Sequence, residues 1–201
     1  MGRDILLMAA QAYKNLIAVE YHIVLGRKGN TFDLNIVFMP ENFYHLAGFH
    51  KLKQRYSFQQ RTSTWILEHI LNGTVTSDVI ASDKNFSILE ERLYSLKILE
   101  QVIDAQETKF YSYDKNRVAF ATRITADYLA KGMLANEPIV FSFFVRTDKK
   151  YCMNSIFQET AYDYSTRQTQ YTVLLKEKKV VSKGLVSSVE LYRHNKYAGI
   201  I

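Results

Sequence analysis

One cysteine, two prolines and eight glycines in 201 residues leave little material for staples, kinks or linkers. Cys152 alone cannot form an intramolecular disulfide, which excludes the disulfide-stapled secreted scaffolds and points to a reducing, cytoplasmic setting. No run approaches the roughly 18 apolar residues that span a bilayer, so no membrane partner is expected. Gln11 and Lys14 interrupt the apolar stretch of the first twenty residues, and no secretory signal layout results. Internal repeats, low-complexity tracts and Pro- or Gly-rich linkers are missing too, so residues 1–201 read as one domain. It has a helical, hairpin-containing half (1–107) and a β-rich half (108–201). A hydrophobic fraction of 47%, with 13% aromatic residues, is enough to bury an ordinary core.

Charge of one sign is locally missing as well. The chain carries 26 basic and 20 acidic residues for a net +6, yet no acid occurs from Asn42 to Leu67, where Lys51, Lys53, Arg55 and Arg61 all fall. A run of uncompensated cations raises the local potential for phosphates. Two histidines, His45 and His50, lie at the start of this run around Gly48.

Periodicity sets the elements. Ile5, Met8, Ala9, Ala12, Tyr13 and Leu16 recur at helical spacing over residues 4–18. Two β-branched and aromatic stretches, 20–27 and 31–38, flank Lys28-Gly29-Asn30 and read as a hairpin. Pro40 suits the first turn of a helix running on past His50. Further helices are expected at about 57–71 and 88–103, the latter with Ile88, Leu89, Leu93, Leu96, Leu99 and Ile103 as an apolar stripe and Glu90, Glu91, Arg92 and Lys97 facing water. From Lys109 the text becomes strand-like in five runs, 109–114, 118–130, 138–148, 151–160 and 169–180, while the last fifteen residues are left open as strand, helix or tail. Helices followed by closely spaced strands give an α+β fold, N-terminal helices packed on an antiparallel sheet of about four to six strands.

Alternation divides the strand at 139–146 into an apolar face (Ile139, Phe141, Phe143, Val145) and a mixed one (Val140, Ser142, Phe144, Arg146) open to solvent or ligand. The next strand divides into Tyr151, Met153, Ser155 and Phe157 against Cys152, Asn154, Ile156 and Gln158. On one continuous helix His45 and His50 stand about 140° apart, unsuited to a shared metal, and no Cys/His/Asp/Glu spacing matches a metal pattern; neither metal nor cofactor is expected. Gly48 in mid-helix would cost about 1 kcal/mol against alanine, which calls for a close approach by another backbone or a substrate.

The run FYHLAGFHKLK (43–53), with its His-Leu-x-Gly-x-His-Lys core, together with FATRITADYLAKG (120–132) and the strand pair around FSFF (141–144) and SIFQE (155–159), resembles a phage and mobile-element nuclease family of the barnase/EndoU/colicin/RelE-like type. The likeness extends from the first helix to about Lys179. It implies metal-independent cleavage of RNA, a toxin-like role and a possible inhibitor protein (antitoxin) as partner. Such cleavage needs a base, an acid and a cation for the developing phosphorane charge. The residues available are His45 and His50 for proton transfer, Lys51 or Arg146 for phosphate charge, and Ser155 and Tyr171 for positioning. Lys53, Arg55, Arg61 and Phe144 are expected to bind substrate. The alternative is a non-catalytic RNA-binding or phage-derived interaction protein, in which the cations matter and the histidines do not.

Overall fold

The computed structural model describes residues 4–182 and 185–197. Helix α1 (Ile5–Ile17) begins where the Asp4 carboxylate accepts the free N–H groups of Leu6 and Leu7, and it buries Leu6, Ala9, Ala10, Tyr13 and Leu16. Strands β1 (Val19–Arg27) and β2 (Asn30–Val37) pair antiparallel. Lys28 and Gly29, at φ +50° and +81°, form the two-residue left-handed turn that matches strand twist.

Five shorter helices follow: α2 (Phe43–Ala47), α3 (Ser63–Leu71), α4 (Ser77–Ile80), α5 (Phe86–Lys97) and α6 (Leu99–Asp104). The helix expected over 88–103 is thus two, broken at Ile98. The remaining strands are β3 (Lys109–Ser112), β4 (Tyr128–Gly132), β5 (Val140–Thr147), β6 (Lys150–Gln158), β7 (Thr169–Ser182) and β8 (Leu185–Arg193). The last of these makes residues 187–193 of the open C-terminal segment a strand; residues 198–201 lie outside the described residues.

The expected sheet of four to six strands is not what forms. Seven strands close into a barrel in the order β1-β2-β6-β5-β4-β3-β7, with β7 returning to β1, and β8 adds an eighth strand alongside β7. The N-terminal hairpin makes the difference: β1 pairs with β7 through most of its length, while β2 joins β6 through Ile36↔Tyr151 and Val37↔Cys152. That second seam is parallel, so the sheet is not purely antiparallel. Closure gives each of the seven strands a neighbour on both sides, which an open sheet denies its two edge strands, although β2 meets β6 through two residue pairs alone.

The helices gather on one side of this barrel. α1 packs on α5 and touches β1, α2 and α5 lie against β6, and α6 lies against β4. Their apolar faces merge with Tyr21, Ile23, Ile36, Phe144, Met153 and Ile156 into the main core. A second, smaller core of Tyr111, Tyr113, Leu129, Phe141 and Phe143 lies under the connection from β3 to β4. Residues 118–127 of that connection, expected as part of a strand, alternate half-buried and exposed but pair with no strand; Val118, Ile124 and Ala126 pack on the second core instead. Both faces of β5 are therefore covered. Val140 and Phe144 enter the main core and Phe141 and Phe143 the second one, so the mixed face, expected to be partly open to solvent or ligand, is buried along Val140, Ser142 and Phe144.

Candidate active site

The segment after Pro40 is not one helix. A 3-10 turn (Pro40–Asn42) leads into the short α2, whose end is set by Gly48 at φ +86°, ψ +15°, its N–H bonded back to the carbonyls of Tyr44 and His45. This is the left-handed C-terminal cap that glycine adopts without a Cβ penalty. A second 3-10 turn (Phe49–Lys51) then folds back. The reversal brings together two side chains that a continuous helix would have set apart: the His45 and His50 rings stack with centroids 4.2 Å apart and planes 7° from parallel. The demand placed on Gly48 by the sequence is met by its backbone angle, and also by a neighbour. A Cβ there would sit 2.8 Å from Cδ of Arg92, whose side chain runs past on its way from α5.

Both imidazoles reach solvent at the wall of a cleft of about 710 Å³, which Lys51, Arg92, Asn154, Ser155, Phe157, Arg123 and Tyr164 also line. Arg92, expected to face water, is instead largely withdrawn from it. Its guanidinium lies 5.7 Å from the Phe157 ring centre and reaches the Leu46 carbonyl at 3.5 Å. Burial pulls its pKa down, and among the described residues no carboxylate pairs with it. A desolvated cation without a counter-ion is a receptor for an anion. One acid, Glu91, also borders the cleft.

The electrostatics act on the histidines. Burial, then Arg92 and Lys51, hold the His45 pKa below that of an ordinary histidine. Burial, followed by His45, Lys51 and Arg92, pushes His50 down to about 4. At neutral pH both rings are uncharged and able to accept a proton, and stacked at this distance the charge on one disfavours protonation of the other.

Strand β6 reaches the same cleft through an irregularity. Phe143 pairs with Ser155 and Phe144 with Met153, so Asn154 is an extra residue in a β-bulge. The bulge shifts the expected alternation: Met153 and Ile156 face the main core, while Ser155 and Phe157 face the cleft. Asn154 anchors the roof by donating from Nδ2 to the Thr125 carbonyl at 2.7 Å.

Of the residues picked out in the sequence, His45, His50, Lys51 and Ser155 come together here. The others do not. Arg146, at the far end of β5, is exposed and turns its Nε to the Asp148 carbonyl at 3.0 Å. Tyr171 lies on β7 against Phe32 and borders a different depression. Phe144 is 0% exposed in the main core and has no surface to offer a substrate. Lys53 and Arg55 are exposed on the chain that wraps the buried Asp83, which accepts the Lys53 and Gln54 N–H groups. Arg61 lies over the Trp65 ring at 5.4 Å. Sequence reasoning missed Arg92, Asn154, Arg123 and Tyr164. For Arg92 the one signal was Gly48 itself, whose missing Cβ leaves room for a close neighbour.

Among the described residues no group of three or more His, Cys, Asp or Glu side chains is arranged to hold a metal ion, and no helix is long and apolar enough to cross a membrane. No curated protein and no solved structure matches the chain. Residues 5–190, however, match the family model described as phage-Barnase-EndoU-ColicinE5/D-RelE like nuclease4. A match over nearly the whole chain, on a molecule with a cleft that holds stacked histidines beside an arginine that no carboxylate pairs among the described residues, places this protein in that family, as a nuclease of the barnase/EndoU type.

Proposed function

We propose that the protein is a metal-independent endoribonuclease with a toxin-like role, acting on RNA in the cytoplasm. The observation that carries this reading is the lone, desolvated Arg92 beside two uncharged imidazoles in one open cleft. His45 takes the proton of the ribose 2′-hydroxyl, and the 2′-oxygen forms its bond to phosphorus. The phosphorane charge that develops is met by Arg92 and Lys51. The P–O5′ bond then breaks and the departing oxygen takes the proton. A histidine with a depressed pKa suits both halves, because once protonated beside Arg92 it gives its proton up readily. The products are a 2′,3′-cyclic phosphate and a free 5′-hydroxyl.

In this reading His50 holds its neighbour's ring in place and keeps a second positive charge off the pair, and the Ser155 hydroxyl positions a phosphate oxygen. Arg146, Tyr171 and Phe144 have no part in it. The cations of the cleft supply the charge neutralisation that a metal would otherwise provide. The test is incubation of purified protein with total RNA in the presence of EDTA. Cleavage to cyclic-phosphate ends that His45→Ala abolishes supports the reading; no cleavage, or cleavage that survives in His45→Ala, overturns it. Slowed growth of bacteria expressing the wild type but not His45→Ala tests the toxin-like role, and rescue by a co-expressed partner tests for an inhibitor.

A further inference from the structure

The mouth of the cleft carries an aromatic surface that the chemistry above does not use. Tyr162, in the connection from β6 to β7, is 53% exposed although its ring lies on that of Phe120, with centroids 4.4 Å apart and planes 32° from parallel. Phe120, in the connection from β3 to β4, is held in turn by the edge of Tyr164 at 4.8 Å. One face of the Tyr162 ring is thus backed by packed aromatics while the residue stays half open to water at the lip of a site lined with arginines.

A tyrosine ring backed on one side by other aromatics and open on the other presents a flat face on which a planar group can stack. The charge around it narrows what that is. Arg123, on the same connection as Phe120, and Arg92, deeper in, attract phosphate; an aromatic platform next to phosphate-binding cations is the pairing that takes a nucleotide, backbone on the cations and base on the ring. A base buried in a duplex cannot offer its flat face to this surface, whereas an unpaired base can.

Building on the ribonuclease reading, we infer that Tyr162, supported by Phe120, stacks an unpaired base of the substrate next to the scissile phosphate, and that the enzyme selects single-stranded or looped RNA over duplex. Tyr162 is then a specificity-determining residue.

The experiment uses a single-stranded 2′-O-methyl oligonucleotide carrying 2-aminopurine, which lacks the attacking hydroxyl and therefore binds without being cut. Its fluorescence should fall on binding to wild type and to Tyr162→Phe. With Tyr162→Ala the quenching should vanish and affinity should weaken by about tenfold. A duplex of the same sequence should compete poorly. Unchanged quenching and affinity in Tyr162→Ala, or equal competition by duplex, overturns the inference while leaving the ribonuclease reading intact, provided binding still depends on Arg92. Wild-type protein that neither binds the oligonucleotide nor cuts total RNA overturns both. Tyr162→Trp guards against a folding artefact, because a larger ring should restore the quenching.

Discussion

His45 and His50 lie face to face, 4.2 Å apart, because Gly48 ends one short helix and turns the chain back on itself. The stack is a consequence of that turn, and the missing Cβ of Gly48 leaves room for the Arg92 side chain passing from α5.

The pH dependence follows from the proton inventory. If His45 is the base, activity is lost as pH falls through its pKa, which lies below 6.5, and is flat at neutral pH. Since Arg92 helps depress that pKa, Arg92→Gln should move the acid limb of the rate profile upward. Imidazole titration by NMR should show His50 as the last ring of the pair to take a proton, near pH 4.

Arg92→Ala should lower kcat/KM by about 100-fold or more, the loss typical of removing one group that stabilises transition-state charge. The dependence of binding on salt should also flatten by about 0.7 in log–log slope, as one phosphate contact is lost on a single strand. Arg146→Ala should leave both unchanged, since its guanidinium is turned to the β5–β6 turn.

Gly48→Ala should destabilise the fold by about 1–2 kcal/mol for the left-handed backbone alone, and more if the Arg92 side chain has to move from the new Cβ. Chemical denaturation gives the stability. The residual activity of the folded fraction should fall as well, because Arg92 and the stacked rings shift together.

Lys176 offers a test away from the cleft. Only 1% exposed, its Nζ donates to the Ile103 and Ala105 carbonyls at 2.6 and 2.7 Å around the end of α6. Burial lowers its pKa from 10.5 to about 8, so between these values the unfolded chain binds the proton more tightly than the folded one. Stability from this group therefore rises with pH across that window, by up to about 3 kcal/mol, and Lys176→Met should remove the rise. Denaturant midpoints for both proteins between pH 7 and 10.5 measure it.

Part of the site was readable in the chain itself. His45, His50 and Lys51 are close neighbours in the acid-free stretch and meet in the cleft, whereas Lys53, Arg55 and Arg61 of the same stretch lie outside it. The stack was not readable, because Phe49 and Leu52 extend an apolar helical rhythm past Gly48 although the backbone reverses there. Arg92 sits among Glu90, Glu91 and Lys97, a composition that suggests a solvated face. What withdraws it from water is packing against Phe157 of β6 and Gly48, neither of which lies near it in the sequence. The run 118–127 shows the alternation of a strand without its pairing, since period-two burial needs an extended chain over a core but not a ladder. Barrel closure depends on β1 meeting β7 some 150 residues later, and no local pattern encodes that partnership.

The parallel seam between β2 and β6 has a consequence for motion. Along β1 and β7 the barrel is joined through most of a strand, whereas here the register runs only through Ile36↔Tyr151 and Val37↔Cys152. Thermal breathing should begin where the staves are most loosely stitched, and amide hydrogens along this line should exchange with solvent before those of β1. Asn154 and Ser155 follow two and three residues after Cys152, so the cleft hangs from the stave that parts first, and its width can fluctuate while the rest of the wall stays shut.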